Sequence, residues 1–406
     1  MTRAVRVAHV TTIDVTLRFL LLPQMQRLRD EGFEVTAISA PGPWTSQLEA
    51  QGVRHIPWRN AIRSWSPRAD ARAFTELARI LRRERFDLVH THNPKPGIMG
   101  RVAARLAGVP CVVNTVHGLY VTPDTPWGKR VPVLALERLA ARCSALEFYQ
   151  SSEDLRWARR LRLCRPGQAV ELGNGTDVER FDPAAVSPER RAALREELGL
   201  PAGSLVVGTV GRLVQEKGFR ELLAVARAAG ASTPGVRFLW VGDVDPEKAD
   251  SVSTEELAEA RHHILVTGWR EDVRDLLAVM DVFVLASRRE GLPRSAIEAA
   301  AMGRPLVLTD IRGCREVARD GEEALFVPPG DPGRLAAAVT RLVRDPELRE
   351  SLGRAARARA VARFDERMVT ERIVAGYHQV LASVGKLPLG LDGDGEARRA
   401  PVHHHP

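Results

Sequence analysis

Short runs of Val, Ile, Leu and Ala recur along the chain, each stopped by Gly, Pro, Asn or Asp and followed by a longer stretch whose apolar positions keep helical spacing. Such runs are the mark of strands buried on both faces of a parallel sheet. The first half predicts strands at Arg6 to Val10, Phe33 to Ile38, one ending at His55, then Phe86 to His90, Cys111 to Asn114 and Ala145 to Tyr149. The loop Thr11 to Thr16 follows the first strand and leads into a helix through Arg29. Around Asn174-Gly175-Thr176-Asp177 the alternation pauses, and the stretch to Pro201 is rich in Pro, Arg and Glu. A second series then predicts strands at Leu205 to Val210, Arg237 to Val241, His263 to Val266, Asp281 to Ala286, Pro305 to Leu308 and Ala324 to Val327. Helices at Pro332 to Val343, Pro346 to Arg363 and Glu366 to Val384 close the pattern. The reading is α/β, with two doubly wound parallel sheets.

The stretch Val284 to Val307 reads as strand, loop, helix, strand. Pro293 suits a first helical turn, and Gly303 a C-terminal stop. Glu290 falls on the loop at the carboxyl end of a strand, and Glu298 in the second helical turn. In open α/β sheets that end of the strands is where ligands bind. A carboxylate at a helix start also offsets the macrodipole, which accounts for one glutamate at most. Gly291 and Leu292 bring backbone N–H groups to the same place, suited to phosphate.

Glu290 to Glu298, with Ser287-Arg-Arg-Glu-Gly-Leu-Pro, Gly303-Arg-Pro-Leu-Val and Ile311-Arg-Gly-Cys-Arg-Glu-Val around it, resembles the E-x7-E region of the retaining, nucleotide-sugar-dependent glycosyltransferases of family 4. The likeness is strongest with the subset that builds capsule and exopolysaccharide chains. It implies a GT-B fold, two Rossmann-like domains facing a cleft. Residues 1–180 would bind the acceptor and 181–365 the nucleotide sugar; the helix at 366–385 would return to the first domain, and 386–406 would be a disordered tail. The family places diphosphate-binding cations at positions matching Arg212 and Lys217, in Gly211-Arg-Leu-Val-Gln-Glu-Lys-Gly after the first strand of the second series. Fixed cations there stabilise the charge gained by the leaving nucleoside diphosphate. The resemblance also implies that Glu290 and His117, in Val116-His-Gly-Leu, touch the donor sugar, and that Glu298 holds the ribose. Backbone near Gly268 and Trp269 would meet the base, most simply uracil. Acceptor contacts would come from Thr12, Asp14, His92, Asn93 and Lys95.

Composition narrows the class. Charged residues make up 27% and hydrophobic residues 44%, the proportions of a soluble globular protein. No apolar run approaches a membrane span, and the N-terminus enters a strand without the apolar core of a secretory signal, so a cytoplasmic protein is expected. Cys111, Cys143, Cys164 and Cys314 are widely spaced, which points to reduced thiols. The net charge of +8 is spread through helices with no nucleic-acid module, and nucleic acid is discounted. Asp154 to Arg165, with Leu155, Trp157 and Leu161 among arginines, reads either as an amphipathic surface helix or as a rest for anionic lipid. His90, His92 and His117 fall past strand ends and invite a zinc reading, as Asp243-Val-Asp245 invites a divalent ion. The cations at Arg212 and Lys217 make such an ion redundant, and no metal or cofactor is expected beyond the donor itself. The function expected is sugar transfer to a hydroxyl of a glycan or lipid-linked saccharide, with peripheral contact with anionic membrane. The alternatives are a small soluble acceptor, a nucleotide-sugar epimerase or hydrolase, and a non-catalytic module.

Overall fold

The structure, a computed structural model, describes residues 3–92, 94–122, 125–233 and 235–386. Asn93 and the tail after Lys386 lie outside the described residues. The first series forms β1 (Arg6–Ile13), β2 (Glu34–Ala40), β3 (Arg54–Pro57), β4 (Leu88–His92), β5 (Cys111–Val116), β6 (Leu146–Tyr149) and β7 (Ala169–Glu171). They make one sheet in the order β3-β2-β1-β4-β5-β6-β7. The second series forms β8 (Leu205–Val210), β9 (Val236–Val241), β10 (Ile264–Val266), β11 (Val282–Leu285), β12 (Leu306–Thr309) and β13 (Ala324–Val327). Its sheet runs β10-β9-β8-β11-β12-β13, and the recorded pairings of both sheets are parallel.

Why the strands read as continuous apolar runs is visible in β11. Phe283 and Leu285 enter a cluster with Leu239, Leu308 and Ile297, while Val282 and Val284 enter another with Phe238, Trp240 and Val307. Side chains alternate between faces and both faces are covered, so no position is left for a polar residue.

Two expectations are corrected. Thr11 to Ile13 continue β1, which carries a register irregularity between Val10 and Ile13, so no loop separates strand from helix. Asp14 opens the helical segment directly, and Leu17–Leu21 is a π-helical turn before the helix Leu22–Asp30. Pro293 caps the helix Arg294–Ala301 from outside, in extended conformation, and is not in its first turn. β7 was not expected; Ala169-Val-Glu is too short and too mixed to stand out from a turn.

The chain divides into two compact units. One holds Met1–Asn114, Cys143–Leu146 and Val374–Pro406; the other holds Thr115–Arg142 and Glu147–Ile373. In the first, Tyr377 of the last helix is buried, its hydroxyl 2.7 Å from Nδ1 of His90 and 3.3 Å from Nε2 of His9. Cys111 Sγ donates to the carbonyl of Val380, and Lys386 Nζ lies 2.5 Å from Asp87. All four cysteines are free thiols.

Candidate active site

The second sheet changes winding direction between β8 and β11, which are neighbours although far apart in sequence. Loops leaving two such strands diverge and open a crevice at their carboxyl ends. The loop after β8 carries Arg212 and Lys217, and the loop after β11 carries Ser287 to Glu290. Gly218 lets the two meet. It sits at φ 77° between a 3-10 turn and the helix Phe219–Ser232, and a Cβ there would fall 2.2 Å from the carbonyl oxygen of Ala286. Only glycine tolerates both the conformation and the approach.

That approach puts Lys217 Nζ 2.5 Å from Glu290 Oε1. The same oxygen accepts from the buried Ser287 hydroxyl at 2.6 Å, and Ser287 is fixed in turn by Thr309 Oγ1 donating to its carbonyl at 2.6 Å. Arg212 Nη1 lies 2.5 Å from Asp245, Arg289 bonds Glu216 at 2.9 Å and Arg288 bonds Glu221 at 2.7 Å. The crevice is thus lined by cations, each held by a carboxylate.

His117 and Gly118 leave β5 and meet the Glu290 loop: a Cβ on Gly118 would be 2.9 Å from Gly291 Cα, and one on Gly313 would be 2.0 Å from Gly291 O. Burial pulls the His117 imidazole down to about 4, against a hydrogen bond with Gln150 that raises it. It is neutral at physiological pH and can exchange hydrogen bonds with hydroxyls. Glu298, on the helix Arg294–Ala301, is raised by burial and drawn back by Arg294, whose Nε lies 3.0 Å away.

Sequence reasoning passed over the residues that hold this arrangement. Asn174 Nδ2 donates to Leu292 O at 2.9 Å, and Gly175 lies against the backbone of Glu366. Asp154, buried, accepts the Leu119 N–H at 2.7 Å and pairs with Arg312; Glu316 accepts from Ser151 Oγ at 2.5 Å and from the amides of Ser152 and Glu153. The Asn-Gly pair and the Arg-Gly-Cys-Arg-Glu run were visible signals, but their partners are distant in sequence. Asp154 to Arg165 begins as an amphipathic surface helix, with Arg156, Arg159, Arg160, Arg162 and Arg165 exposed. Leu155 and Ala158 are buried and Trp157 packs beside them, leaving Leu161 at the edge of exposure.

Gly268 is at φ 73° and its carbonyl accepts from Gly242 N at 3.0 Å; Trp269 is 48% exposed. Asp243 is exposed, and Asp245 is engaged by Arg212.

At the carboxyl ends of β1 and β4 the picture differs. Asp14 accepts the Trp44 amide at 2.8 Å. Lys95 is buried, donates to the carbonyls of Ile62 at 3.0 Å and Ser64 at 2.6 Å, and pairs with Asp70. Its charge clamps a loop. Thr12 is half-buried. His90 and His92 lie within β4, not past its end; their rings stack on each other, and His92 also stacks on His9 of β1, to which His90 is tilted. Among the described residues His9, His90 and His92 are the one group whose nitrogens approach closely enough to hold a metal; His9 Nδ1 and His92 Nε2 are 3.2 Å apart and hydrogen-bonded.

Two parallel-sheet α/β domains with a cation-lined crevice at the switch point define a nucleotide-dependent transferase of GT-B fold. Residues 21–175 match the family described as glycosyl transferase 4-like domain, and residues 204–345 that described as glycosyl transferases group 1. Over 350 residues the chain is 30% identical to the Escherichia coli UDP-Gal:alpha-D-GlcNAc-diphosphoundecaprenol alpha-1,3-galactosyltransferase, covering 85% of this chain and 89% of that one. It is 33% identical over 295 residues to the 2-deoxystreptamine glucosyltransferase of Streptomyces kanamyceticus, covering 68% and 73%. Its fold superposes on that of Anabaena HepE in complex with UDP with a TM-score of 0.74 at 21% identity, over 93% of this chain and 100% of that one. The chain belongs to the group 1, or family 4-like, glycosyltransferases.

Proposed function

We propose that the chain transfers a sugar from a UDP-linked donor to a hydroxyl of a lipid-diphosphate-linked saccharide, with retention of configuration, at the inner face of a membrane. The observation that carries the reading is the Lys217–Glu290 pair at the β8–β11 switch point, 2.5 Å apart and joined by Ser287. Each charge neutralises the other in this pair. A bound diphosphate competes for Lys217 and Arg212 and releases the Glu290 carboxylate toward the sugar. The bond from C1 to the diphosphate oxygen breaks with its electron pair leaving on phosphate, and the acceptor oxygen bonds C1 on the same face. The acceptor proton passes to the departing phosphate. Lys217 and Arg212 stabilise the charge arriving on the diphosphate, and Glu290 the oxocarbenium-like charge on the sugar. Neutral His117 hydrogen-bonds a sugar hydroxyl, Glu298 the ribose, the backbone at Gly291 and Leu292 the phosphate, and Trp269 with Gly268 the base. The reaction so written needs no metal.

The lipid-linked acceptor is favoured by the longer match, to an enzyme named for a diphosphoundecaprenol acceptor. A soluble alcohol is the second reading, favoured by the shorter match to the 2-deoxystreptamine enzyme. A thermal-shift panel of nucleotide sugars identifies the donor, since a ligand at 100 times its Kd adds about 2.7 kcal/mol. Transfer to a prenyl-diphosphate saccharide, with the anomer read by NMR, then tests the reaction. Inversion, or donor epimerisation or hydrolysis that needs no acceptor, overturns it. Transfer confined to a soluble alcohol establishes the second reading.

A further inference from the structure

The first turn of the helix Ser152–Arg160 holds a carboxylate that does not serve its own helix. Ser151 caps that helix, its hydroxyl accepting the Asp154 amide at 3.1 Å. A carboxylate three residues past such a cap ordinarily folds back onto the cap's N–H, as Glu256 does on Ser253. Asp154 turns away instead: Oδ2 accepts the Leu119 amide at 2.7 Å, 35 positions back, and Oδ1 pairs with Arg312. The helix can spare it because Glu316 takes the amides of Ser152 at 2.9 Å and Glu153 at 3.1 Å, and Arg315 holds the Glu153 side chain. A carboxylate buried as Asp154 is would be costly without partners. Burial raises its pKa, and Arg312 and the Leu119 amide draw it back.

Leu119 lies two residues past His117. The segment between them is held from its other side by the Glu290 loop: the Gly291 backbone lies against His117 and Gly118, and Arg289 Nη1 donates to the Tyr120 carbonyl at 3.1 Å. Gly313 lies in turn against the Gly291 carbonyl, and its neighbour Arg312 reaches Asp154. Three loops of the second unit, those after β5, β11 and β12, thus meet in pairs, and Asp154 supplies the third contact. Arg312 also lies 5.7 Å over the Trp157 ring, which steadies the far end of the pair. We infer that Asp154 is a positioning residue for sugar transfer: through the Leu119 amide it sets where the His117 imidazole stands against Glu290. The inference rests on the proposed contact of His117 with the donor sugar. The proposed diphosphate and ribose contacts, Arg212, Lys217 and Glu298, are on other segments, so loss of Asp154 falls on turnover more than on donor KM.

The test is steady-state transfer by the full chain, from the UDP-sugar that the thermal-shift panel selects to a prenyl-diphosphate saccharide. Asp154→Ala lowers kcat at least about tenfold, within the roughly 10²-fold that a 1 Å misplacement can cost, and changes donor KM less than about threefold. Asp154→Asn keeps an oxygen at the same reach for Leu119 and gives up the charge toward Arg312; it recovers most of the lost kcat while staying less stable than wild type. Asp154→Glu keeps the charge and displaces the oxygen by one methylene, and its kcat stays low. A merely structural ion pair requires the reverse order, Glu near wild type and Asn low. That result would overturn the inference, and it can be read even where the Ala variant folds poorly. His117→Ala/Asp154→Ala separates the inference from the reading beneath it: its kcat matches that of His117→Ala alone, because residues acting as one unit do not add. Additive losses overturn the positioning role and leave His117 in place. Full activity of His117→Ala removes the sugar contact, and the inference with it.

Discussion

A Cβ added to Gly291 would fall 1.8 Å from the carbonyl oxygen of His117. The loops bearing Glu290 and His117 therefore touch backbone to backbone, and their side chains are held in register with no spacer between them. Gly291→Ala forces the loops apart. Overpacking of this kind costs about 1–3 kcal/mol, read by urea unfolding, and turnover should drop more steeply than donor affinity. An Ala variant with wild-type stability and turnover would show that the contact does not set the site.

Lys217→Ala and Arg212→Ala should each lower turnover about 10²- to 10³-fold, the usual effect of removing one fixed donor to a developing anion. Their stabilities should differ from a simple loss of charge. Glu290 is only 10% exposed at its side chain, so removing Lys217 leaves a carboxylate whose remaining side-chain partner, among the described residues, is Ser287. Lys217→Ala/Glu290→Ala should be the more stable protein, because a lone buried charge is worse than none. Full activity of either single variant at saturating donor would remove the diphosphate assignment.

Two histidines shifted by burial add an acid limb to the stability profile. Burial lowers His117 from 6.5 to about 4 and His9 to about 3. Between those values and 6.5 the unfolded chain binds more protons than the folded one. Stability is therefore lost as pH falls through that window, by about 1.4 kcal/mol per pH unit for each histidine. Above pH 6.5 neither contributes a slope. Turnover should likewise show no imidazole titration between about pH 6 and 8; an inflection there that His117→Gln abolishes would contradict a neutral His117.

Glu298 titrates in the opposite sense. Its raised carboxyl binds a proton in the folded state at a pH where the unfolded chain has released it, so its ionisation lowers stability as pH rises through that interval. Glu298→Gln should gain stability at neutral pH and raise the donor KM, since the amide is a poorer acceptor for ribose hydroxyls. A variant both less stable and unchanged in KM would assign Glu298 to the Arg294 ion pair alone.

Activity should survive EDTA, because the proposed reaction draws its positive charge from Lys217 and Arg212. Loss of turnover with chelator, restored by manganese or magnesium, would transfer that role to an ion near Asp243 and Asp245.

The sheets were legible because parallel strands buried on both faces are apolar along most of their length, as β11 and Leu306 to Leu308 of β12 are. Lys217 and Glu290 could be named from their loops and their resemblance to a family. Their mutual contact could not, since it depends on β8 and β11 being neighbours. Lys95 lies just past a strand end, where a lysine looks available for a substrate, while its partners are the carbonyls of Ile62 and Ser64, in an irregular stretch, and Asp70 in the helix Pro67–Glu84. The segment Asp154 to Arg165 is the amphipathic surface helix that its pattern offered, with Leu155 and Ala158 buried and its arginines exposed.

The imidazoles of His9 and His90 meet a hydroxyl that the ribosome delivers late. His90 and Tyr377 are 287 positions apart, and at about 5–20 residues per second the wait is roughly 15 to 60 seconds. Through that interval the nascent sheet has its histidines but not the helix that seals them, and Asp87 has not met Lys386. Synthesis runs from the N-terminus, yet the first unit is finished by a helix made after the whole second sheet. A message truncated before Tyr377 would yield a product whose leading sheet stays open to water, to chaperones and to proteases, however complete the second sheet may be.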